Sequence, residues 1–341
     1  MQLKNKAQLL IRDLGELGLI ERIKGIVGCK DPSVLVSIGD DAAVVRPDCE
    51  CLQLLTTDIL VEDVHFKTST YTPFEIGYKS IVVNVSDIAA MAGLPRYALV
   101  TLGVDPSTPL AFVDDLYKGM NSAAQEYGLA LVGGDTTRSE RLILNVTVAG
   151  LVEESLLKKR SGARAGELIG VTGELGGSAA GLFLLSNPEL GSGISGAAAM
   201  KRSHIAPRAR VREARVASEE GASAIEDISD GLAGEVKHIC AMSSVGAVIR
   251  AGEIPFAAGV DEVAQLAGTS REDLSLFGGE DYELVFTAPK TKFEKIKRVI
   301  FEETGTKVAK VGETVSAGQG IKTMQTDGRL SDLRGGGFEH F

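Results

Sequence analysis

Short apolar runs rich in β-branched residues recur along the first half of the chain, and most of them end in an acidic or glycine-rich turn. This pattern is typical of β-strands. The predicted strands cover residues 34–41, 51–58, 79–87, 97–104, 129–135 and 142–150. Helical spacing of apolar residues predicts two helices between them, over residues 73–79 and 108–127. The first part of the chain is therefore predicted to be mixed α/β.

A polar, basic segment over residues 153–167 interrupts this pattern, and such a change of composition is expected at a domain boundary. Strands and helices then resume, with strands predicted over 168–173, 223–230 and 281–289 and helices near 208–220 and 231–243. A length of 341 residues also fits two domains. We expect a two-domain mixed α/β fold, with an N-terminal domain over residues 1–152 and a C-terminal domain over residues 153–341.

The charge balance excludes several classes of partner. The chain has 36 Lys and Arg against 46 Asp and Glu, a net charge of −10, which repels nucleic acid and anionic membrane surfaces. The N-terminal stretch over residues 1–23 is typical of an amphipathic helix rather than of a signal peptide. No apolar run reaches the roughly 18 residues that a membrane span needs. The sequence therefore predicts a cytoplasmic protein with no nucleic-acid or membrane partner.

Aspartates stand at the ends of most predicted strands, where side chains can converge on the rim of a sheet. They are Asp40, Asp41, Asp58, Asp87, Asp135, Asp227 and Asp230. Converging carboxylates repel one another unless cations lie between them, and Mg²⁺ prefers such hard oxygen ligands. Thr56 and Thr57 can add oxygen ligands beside Asp58. The alternative is that each aspartate only caps a helix or closes a turn.

Glycine accompanies the acids in the strings IGDD, VGGD and FGGED, which lets a phosphate approach the backbone amides. A nucleotide bridged to the protein by several Mg²⁺ ions is the predicted ligand. The phosphate-binding motif GxxxxGK[ST] is absent from the sequence, which disfavours a Walker-type ATPase. One GxGxxG match, at residues 191–196, follows a predicted helix rather than a strand, so we interpret it as a loop.

Eight segments of the chain, taken together, resemble the thiamine-monophosphate kinase family of the aminoimidazole ribonucleotide synthetase-like superfamily. They are IGDDAAVV, TTDILVEDVHF, NVSDIAAMAGLP, LVGGDTTRS, RSGARAGE, DISDGL, GGEDYELVF and GGGFEHF. The resemblance covers the chain from about Asp13 to Phe341. It implies phosphorylation of thiamine monophosphate to thiamine diphosphate by ATP, the last step of thiamine diphosphate biosynthesis. It also implies a homodimer in which the N-terminal sheet forms a barrel across the two subunits.

The resemblance assigns roles to individual residues. The implied Mg²⁺ ligands are Asp40, Thr56, Thr57, Asp58, Asp87, Asp135, Asp227 and Asp230, of which Asp58, Asp87 and Asp135 act in catalysis through the metal. The implied ATP contacts are Tyr117, Gly134, Asp135, Arg160 and Ser229. The implied contacts to thiamine monophosphate are His65, Glu280 and Phe338. We expect direct in-line transfer, because a phosphate acceptor is already ionised at neutral pH and needs no strong general base.

One position departs from the family pattern, since Asp63 stands where the family often has glycine. This departure puts the local backbone in question, because Asp adopts positive φ less readily than Gly. Other superfamily enzymes are the nearest alternatives: a selenophosphate synthetase, a hydrogenase-maturation dehydratase or a purine-pathway amidine-forming enzyme. A Mg-nucleotide sensor without turnover and a metal-dependent phosphohydrolase are alternatives of other classes.

Overall fold

The computed structural model describes residues 34–36, 40–46, 51–333, 335 and 337. Its N-terminal half is built on a sheet with the strand order β1-β2-β3-β6-β4-β5, in which only β4 and β5 run parallel. The strands are β1 (Val34–Val36), β2 (Ala43–Val45), β3 (Cys51–Val61), β4 (Leu94–Val104), β5 (Ala130–Arg138) and β6 (Ile143–Glu153).

A second sheet organises the C-terminal half, with the order β13-β12-β9-β11-β7-β10-β8. Its neighbouring strands are antiparallel except for the parallel pair β9 and β12. The strands are β7 (Leu168–Thr172), β8 (Ala224–Asp227), β9 (Val245–Arg250), β10 (Leu284–Ala288), β11 (Val308–Ser316), β12 (Ile321–Met324) and β13 (Leu330–Asp332).

Helices connect and cover the two sheets. They are α1 (Pro73–Ala90), α2 (Leu110–Tyr127), α3 (Gly177–Ser186), α4 (Ala197–Ile205), α5 (Val211–Glu220), α6 (Leu232–Ser243), α7 (Val260–Ala267), α8 (Arg271–Leu276) and α9 (Lys290–Thr304). The GxGxxG match at residues 191–196 lies between a short 3₁₀ turn and α4, as the sequence predicted. Among the helices of the described residues, none has the length and apolar character needed to cross a membrane.

Helix α1 corrects one prediction, because the strand predicted over residues 79–87 lies entirely within it. Thr72 and Glu75 form a capping box at its start, and Pro73 occupies the first turn. The helix packs against the N-terminal sheet and also against β8 and α5, so most of its surface is buried. A helix buried on most sides has no polar face, and its β-branched run therefore has the same pattern as a buried strand.

The N-terminal sheet is buried on one face and open on the other. Its inner face, including Leu54, Val100 and Leu144, packs on α1 and α2. The outer face leaves apolar side chains exposed, among them Ile59 and Leu99, which are 47% and 49% exposed. The C-terminal sheet is covered on both faces: α5 and α9 pack on one, where Phe286 stacks on Phe293, and α6 packs on the other.

Helices α1 and α2 cross at two glycines. A Cβ added at Gly77 would lie 1.9 Å from the carbonyl oxygen of Leu116, and one added at Gly119 would lie 1.9 Å from that of Phe74. Both contacts are with backbone, which cannot rotate away. The crossing therefore requires glycine at both positions.

We expect Gly77→Ala to lower the free energy of unfolding by about 3 kcal/mol, because the methyl group forces the two helices apart. Urea unfolding followed by circular dichroism measures this change. Gly318→Ala is the control, since a Cβ there meets nothing within 4 Å. Equal stability of the two variants would contradict the close crossing.

Candidate active site

Three carboxylates from distant parts of the sequence meet below the inner face of the N-terminal sheet. Oxygens of Asp41, Asp87 and Asp227 lie within 4.8 Å of one another. Asp41 lies in the turn before β2, Asp87 in the last turn of α1, and Asp227 at the end of β8. Asp58 on β3 adds a fourth charge, because its field acts on Asp87. We call Asp41, Asp58, Asp87 and Asp227 the acidic cluster.

The pKa values of the acidic cluster are raised because it is buried and like-charged. Burial raises the pKa of Asp58 to about 6. The pKa of Asp41 is also raised to about 6, by burial and by Asp40, although Arg160 opposes the shift. Burial, followed by the charges of Asp58, Asp227 and Asp41, raises the pKa of Asp87 well above its ordinary value. Without a bound metal ion, these carboxylates cannot all be ionised together near neutral pH.

Two hydroxyl groups orient the cluster but do not neutralise it. Thr56 Oγ1 donates to Asp87 Oδ2 at 2.5 Å, and Ser86 Oγ donates to Asp227 Oδ2 at 2.6 Å. Asp41 Oδ2 is buried and has no hydrogen-bond partner among the described residues. Several hard oxygen donors, one of them unpaired, are the donor set that Mg²⁺ takes in proteins. The residues therefore fit the predicted metal.

Arg160 is the cation beside the acidic cluster. Its guanidinium lies 2.7 Å from Asp41 Oδ1 and 2.9 Å from Glu226 Oε1. Burial lowers its pKa, but the charges of Asp41 and Glu226 outweigh burial and raise it overall. Asp40, whose pKa is raised by burial, accepts hydrogen bonds from the backbone N–H groups of Asp41 and Arg160. Arg160 is 20% exposed and thus keeps a permanent charge within reach of a ligand.

Thr57 and Asp135 lie on the other face of the N-terminal sheet. Thr57 Oγ1 donates to the carbonyl oxygen of Val146 at 3.0 Å and contacts Thr147, its register partner on β6. Asp135 is exposed within β5 and pairs in register with Thr101. Only Thr56 and Asp58 of the TTD string point toward Asp87, because successive side chains of a strand alternate between faces. The roles of Thr57 and Asp135 as metal ligands stay predictions.

The predicted nucleotide contacts are spread over several elements. Gly134 has φ +152°, and a Cβ there would lie 1.8 Å from the carbonyl oxygen of Val100, so this position requires glycine. Tyr117 is half-buried on α2 and lines a surface cavity of about 400 Å³. Ser229 lies in the loop between β8 and α6 with Asp230. The roles of Tyr117, Gly134 and Ser229 as ATP contacts stay predictions.

The predicted substrate contacts lie in two turns. His65 Nδ1 accepts a hydrogen bond from Val61 N at 3.0 Å, in the turn after β3. Asp63 in this turn has φ +64°, so the aspartate adopts the conformation that the family pattern assigns to glycine. Its N–H donates to the carbonyl oxygen of Phe66 at 2.8 Å. Phe338 lies outside the described residues.

Glu280 is tied to the loop that follows Asp227. It has φ +65°, and its N–H donates to the carbonyl oxygen of Ser229 at 2.6 Å. Its carboxylate lies 3.0 Å from Lys79 Nζ and 3.1 Å from His204 Nδ1. Burial alone would raise the pKa of Glu280, but Lys79 opposes burial through its charge and its hydrogen bond, and the pKa is lowered overall, so the group is ionised.

Sequence reasoning missed several residues of the site. It assigned Asp40 rather than its neighbour Asp41 as a metal ligand, because the sequence alone does not distinguish two adjacent aspartates. It also missed Glu226 and Lys79, although both are charged residues inside apolar runs, which is a usable signal for a buried polar contact. It assigned no role to His204.

Comparisons with known proteins place this architecture in a family. Residues 39–152 match the model of the AIR synthase related protein N-terminal domain, and residues 164–324 match that of the C-terminal domain. The chain is therefore an AIR synthase related protein, with one domain match in each half. Within that class, the chain belongs to the thiamine-monophosphate kinase family, because relatives of that name are 33% and 36% identical to it over 96% and 91% of its length. The predicted mixed α/β, two-domain fold is confirmed.

Relatives of that name match nearly the whole chain. The thiamine-monophosphate kinase of Bacillus subtilis (strain 168) is 36% identical, over 91% of this chain and 94% of its own length. That of Escherichia coli (strain K12) is 33% identical, over 96% and 98%. The structure of AaThiL complexed with AMPPCP and TMP has a TM-score of 0.85 at 33% identity and covers 98% of this chain and 100% of that one. Escherichia coli HypE, at 18% identity and a TM-score of 0.70, shares the fold.

The raised pKa values of the acidic cluster predict a pH-dependent effect of Asp58→Asn on stability. A group whose pKa is raised in the folded state stabilises the fold at low pH, and this contribution is lost as the pH rises through the folded pKa. For Asp58 that pKa is about 6 in the metal-free protein. We expect Asp58→Asn to raise the metal-free melting temperature by roughly 3 °C more at pH 7.5 than at pH 4.5.

Scanning fluorimetry in EDTA at constant ionic strength measures this difference. Millimolar Mg²⁺ at pH 7.5 should stabilise the wild type more than Asp58→Asn, because the variant lacks one ligand. Asp332→Asn, at an exposed residue of β13, is the control and should show neither effect. An effect of Asp58→Asn that is independent of pH would contradict the raised pKa.

Proposed function

We propose that this protein transfers the γ-phosphoryl group of ATP to thiamine monophosphate, producing thiamine diphosphate and ADP. The observation that carries this proposal is the likeness to AaThiL, which is complexed with AMPPCP and TMP and matches the chain over 98% of its length. AMPPCP has the triphosphate skeleton of ATP. The kinase relatives agree, because they match the chain almost from end to end.

The chemistry required by this reaction agrees with the residues present. The acceptor is an ionised phosphate, so the main obstacle is repulsion between two anionic phosphate groups brought into line. Mg²⁺, when bound, supplies the charge that neutralises these phosphates. We propose several Mg²⁺ ions, whose ligands come from the acidic cluster together with Asp40, Thr56, Thr57, Asp135 and Asp230. Arg160, held charged by Asp41 and Glu226, adds a fixed positive charge for a phosphate.

The contacts to the two substrates are also proposed residue by residue. For ATP they are Tyr117, Gly134, Asp135, Arg160 and Ser229, and for thiamine monophosphate His65, Glu280 and Phe338. Arg160 and Glu280 support this division. Arg160 contacts Asp41 directly, and Glu280 is bonded through its backbone to Ser229, two residues after Asp227. Donor and acceptor sites would then meet at the acidic cluster, and the phosphoryl group would pass directly between them.

We further propose domains over residues 1–152 and 153–341 and a homodimer in which two N-terminal sheets form a barrel. The outer face of this sheet supports the dimer. It exposes Ile59, Tyr97, Leu99 and Val132, of which Tyr97 and Val132 are 51% and 55% exposed. Among the described strands, β5 is an edge of the sheet, and an exposed edge beside an apolar face is normally covered.

Chromatography of reaction products tests the proposed activity. Purified protein is incubated with Mg·ATP and thiamine monophosphate, and controls omit one substrate each. Thiamine diphosphate and ADP should appear in equal amounts. ADP with free phosphate and no thiamine diphosphate would indicate a phosphohydrolase or another superfamily enzyme. Tight nucleotide binding without turnover would indicate a sensor.

We expect Asp87→Asn to lower kcat at least about 10³-fold, because the residue lies at the centre of the acidic cluster. The metal-free melting temperature should not fall, since the substitution removes a buried charge with a raised pKa. The activity assay above and scanning fluorimetry measure the two effects. Activity within tenfold of the wild type would count against the assignment of this cluster.

We expect Leu99→Lys to shift the protein from dimer to monomer, because it places a charge on the outer face of the N-terminal sheet. Light scattering after size exclusion measures the mass against the 35.9 kDa of one chain. Leu110→Lys is the matched control, since Leu110 is 82% exposed at the start of α2, away from that face. A wild type that is monomeric at micromolar concentration would refute the proposed dimer.

A further inference from the structure

A buried polar cluster lies directly beneath Glu280, where α1, α4 and the loop before β10 meet. Its members Tyr71, Lys79 and His204 are 5%, 1% and 3% exposed. The Glu280 side chain is 26% exposed, so it is the one member of this set that reaches the surface. We call Tyr71, Lys79 and His204 the Glu280 support.

Lys79 uses each of its three ammonium hydrogens. Its Nζ lies 3.2 Å from Tyr71 Oη, 3.0 Å from the carbonyl oxygen of His204 and 3.0 Å from Glu280 Oε1. An ammonium group has three donors and no acceptor, so these three contacts satisfy it completely. Burial lowers its pKa, but Glu280 and Tyr71 raise it overall, and the lysine stays charged. Its position on α1 is therefore fixed by three partners from separate segments.

His204 holds the second oxygen of the same carboxylate. Its Nδ1 lies 3.1 Å from Glu280 Oε2 and 3.0 Å from Ser178 Oγ. Burial, followed by the charge of Lys79, lowers the pKa of His204 to about 4, so the ring is neutral. An ionised carboxylate can only accept, so the approach of Nδ1 to Glu280 is favourable only when Nδ1 carries the ring hydrogen, which it then shares with Ser178 Oγ. Ser178 lies in the first turn of α3 and limits rotation of the ring.

Glu280 is thus restrained at its backbone and at both carboxylate oxygens. Its φ of +65° is uncommon for a residue other than glycine, and its N–H is bonded to Ser229. Each carboxylate oxygen has more than one acceptor site, so lone pairs remain for a ligand on the exposed side. The carboxylate of Glu280 is therefore held in one orientation, and the positive charge of Lys79 beneath it balances its negative charge.

We propose that Lys79 and His204 are positioning residues for thiamine monophosphate, and that they act on it by fixing the carboxylate of Glu280. This inference rests on the proposed function and adds two residues to the substrate side of that site. Neither residue reaches the surface, so neither contacts the substrate itself. Stability alone does not account for them, because apolar residues of similar volume often replace a buried ion pair without loss.

The decisive experiment is a double-mutant cycle of Lys79→Met and Glu280→Gln. For each variant, KM for thiamine monophosphate, KM for ATP and kcat are measured. We expect Lys79→Met alone to raise KM for thiamine monophosphate at least tenfold and to change KM for ATP less than twofold. In the Glu280→Gln background, Lys79→Met should add less than a further twofold, because its effect passes through the carboxylate. Effects that multiply would overturn the proposal.

Arg215→Met is the matched structural control. Arg215 is also buried, at 9% exposed, and it joins the two halves of the molecule through Glu153 and the carbonyl oxygen of Ala92. It makes none of the contacts to Glu280 described above. We expect this variant to lower the melting temperature as Lys79→Met does, while both KM values stay within twofold of the wild type. Equal increases of KM for thiamine monophosphate in both variants would show a merely structural role.

Two further variants keep the test informative if Lys79→Met does not fold. His204→Gln removes the ring but keeps the carbonyl group that accepts from Lys79, and Ser178→Ala removes only the hydroxyl beside the ring. We expect KM for thiamine monophosphate to rise in both, more for His204→Gln, with KM for ATP unchanged. An unchanged KM for thiamine monophosphate in His204→Gln would overturn its role.

The wild type separates failure of this inference from failure of the proposed function. If the wild type forms no thiamine diphosphate, the proposed function and the inference fall together. If the wild type turns over and the cycle is multiplicative, only the positioning role is lost. Turnover with a non-multiplicative cycle supports both.

Discussion

Burial of helix α1 between the two sheets is the constraint on which the fold and the site both depend. The helix packs on the N-terminal sheet with one side and on β8 and α5 with another, so polar groups along it must find partners inside the protein. Lys79 and Ser86 are seven residues apart, which places them on one side of the helix two turns apart. They contact Glu280 and Asp227, both in the C-terminal half. Asp87, the next residue, turns toward Thr56 on β3.

The acidic cluster lowers the stability of the metal-free fold, because the chemistry of the site requires like charges to be buried close together. Four carboxylates gather where burial raises their pKa values, and hydroxyl groups orient them without removing charge. The buried apolar cores of the two halves offset this local instability. The Glu280 support has the opposite electrostatics. There, the positive charge of Lys79 balances the carboxylate of Glu280, so Glu280 and its support together carry no net charge.

Local sequence patterns were sufficient to predict most strands, but they did not locate every acidic residue of the site correctly. Alternating burial made β3 and β6 predictable, whereas α1 was wrongly divided into a helix and a strand because it lacks a polar face. The acids were expected at strand ends, but Asp58 and Asp135 lie within strands and Asp87 lies on a helix. The choice between Thr56 and Thr57 depends on which face of β3 is buried, and that is set by tertiary contacts with α1. Motif resemblance supplied the identities of these residues, but only tertiary packing shows which of them meet.

The backbone bonds between the loop at Ser229 and the loop at Glu280 have a thermodynamic consequence. Glu280 N and Tyr282 N donate to the carbonyl oxygens of Ser229 and Ile228, so the two loops are hydrogen-bonded to each other. One of them follows Asp227 of the acidic cluster in sequence, and the other bears Glu280. A ligand that orders either side also orders the other, and the second ligand then loses less conformational entropy. Linkage is reciprocal, so the factor by which nucleotide tightens acceptor binding must equal the factor by which acceptor tightens nucleotide binding. We expect any cooperativity between the two substrates to depend on this pair of main-chain hydrogen bonds.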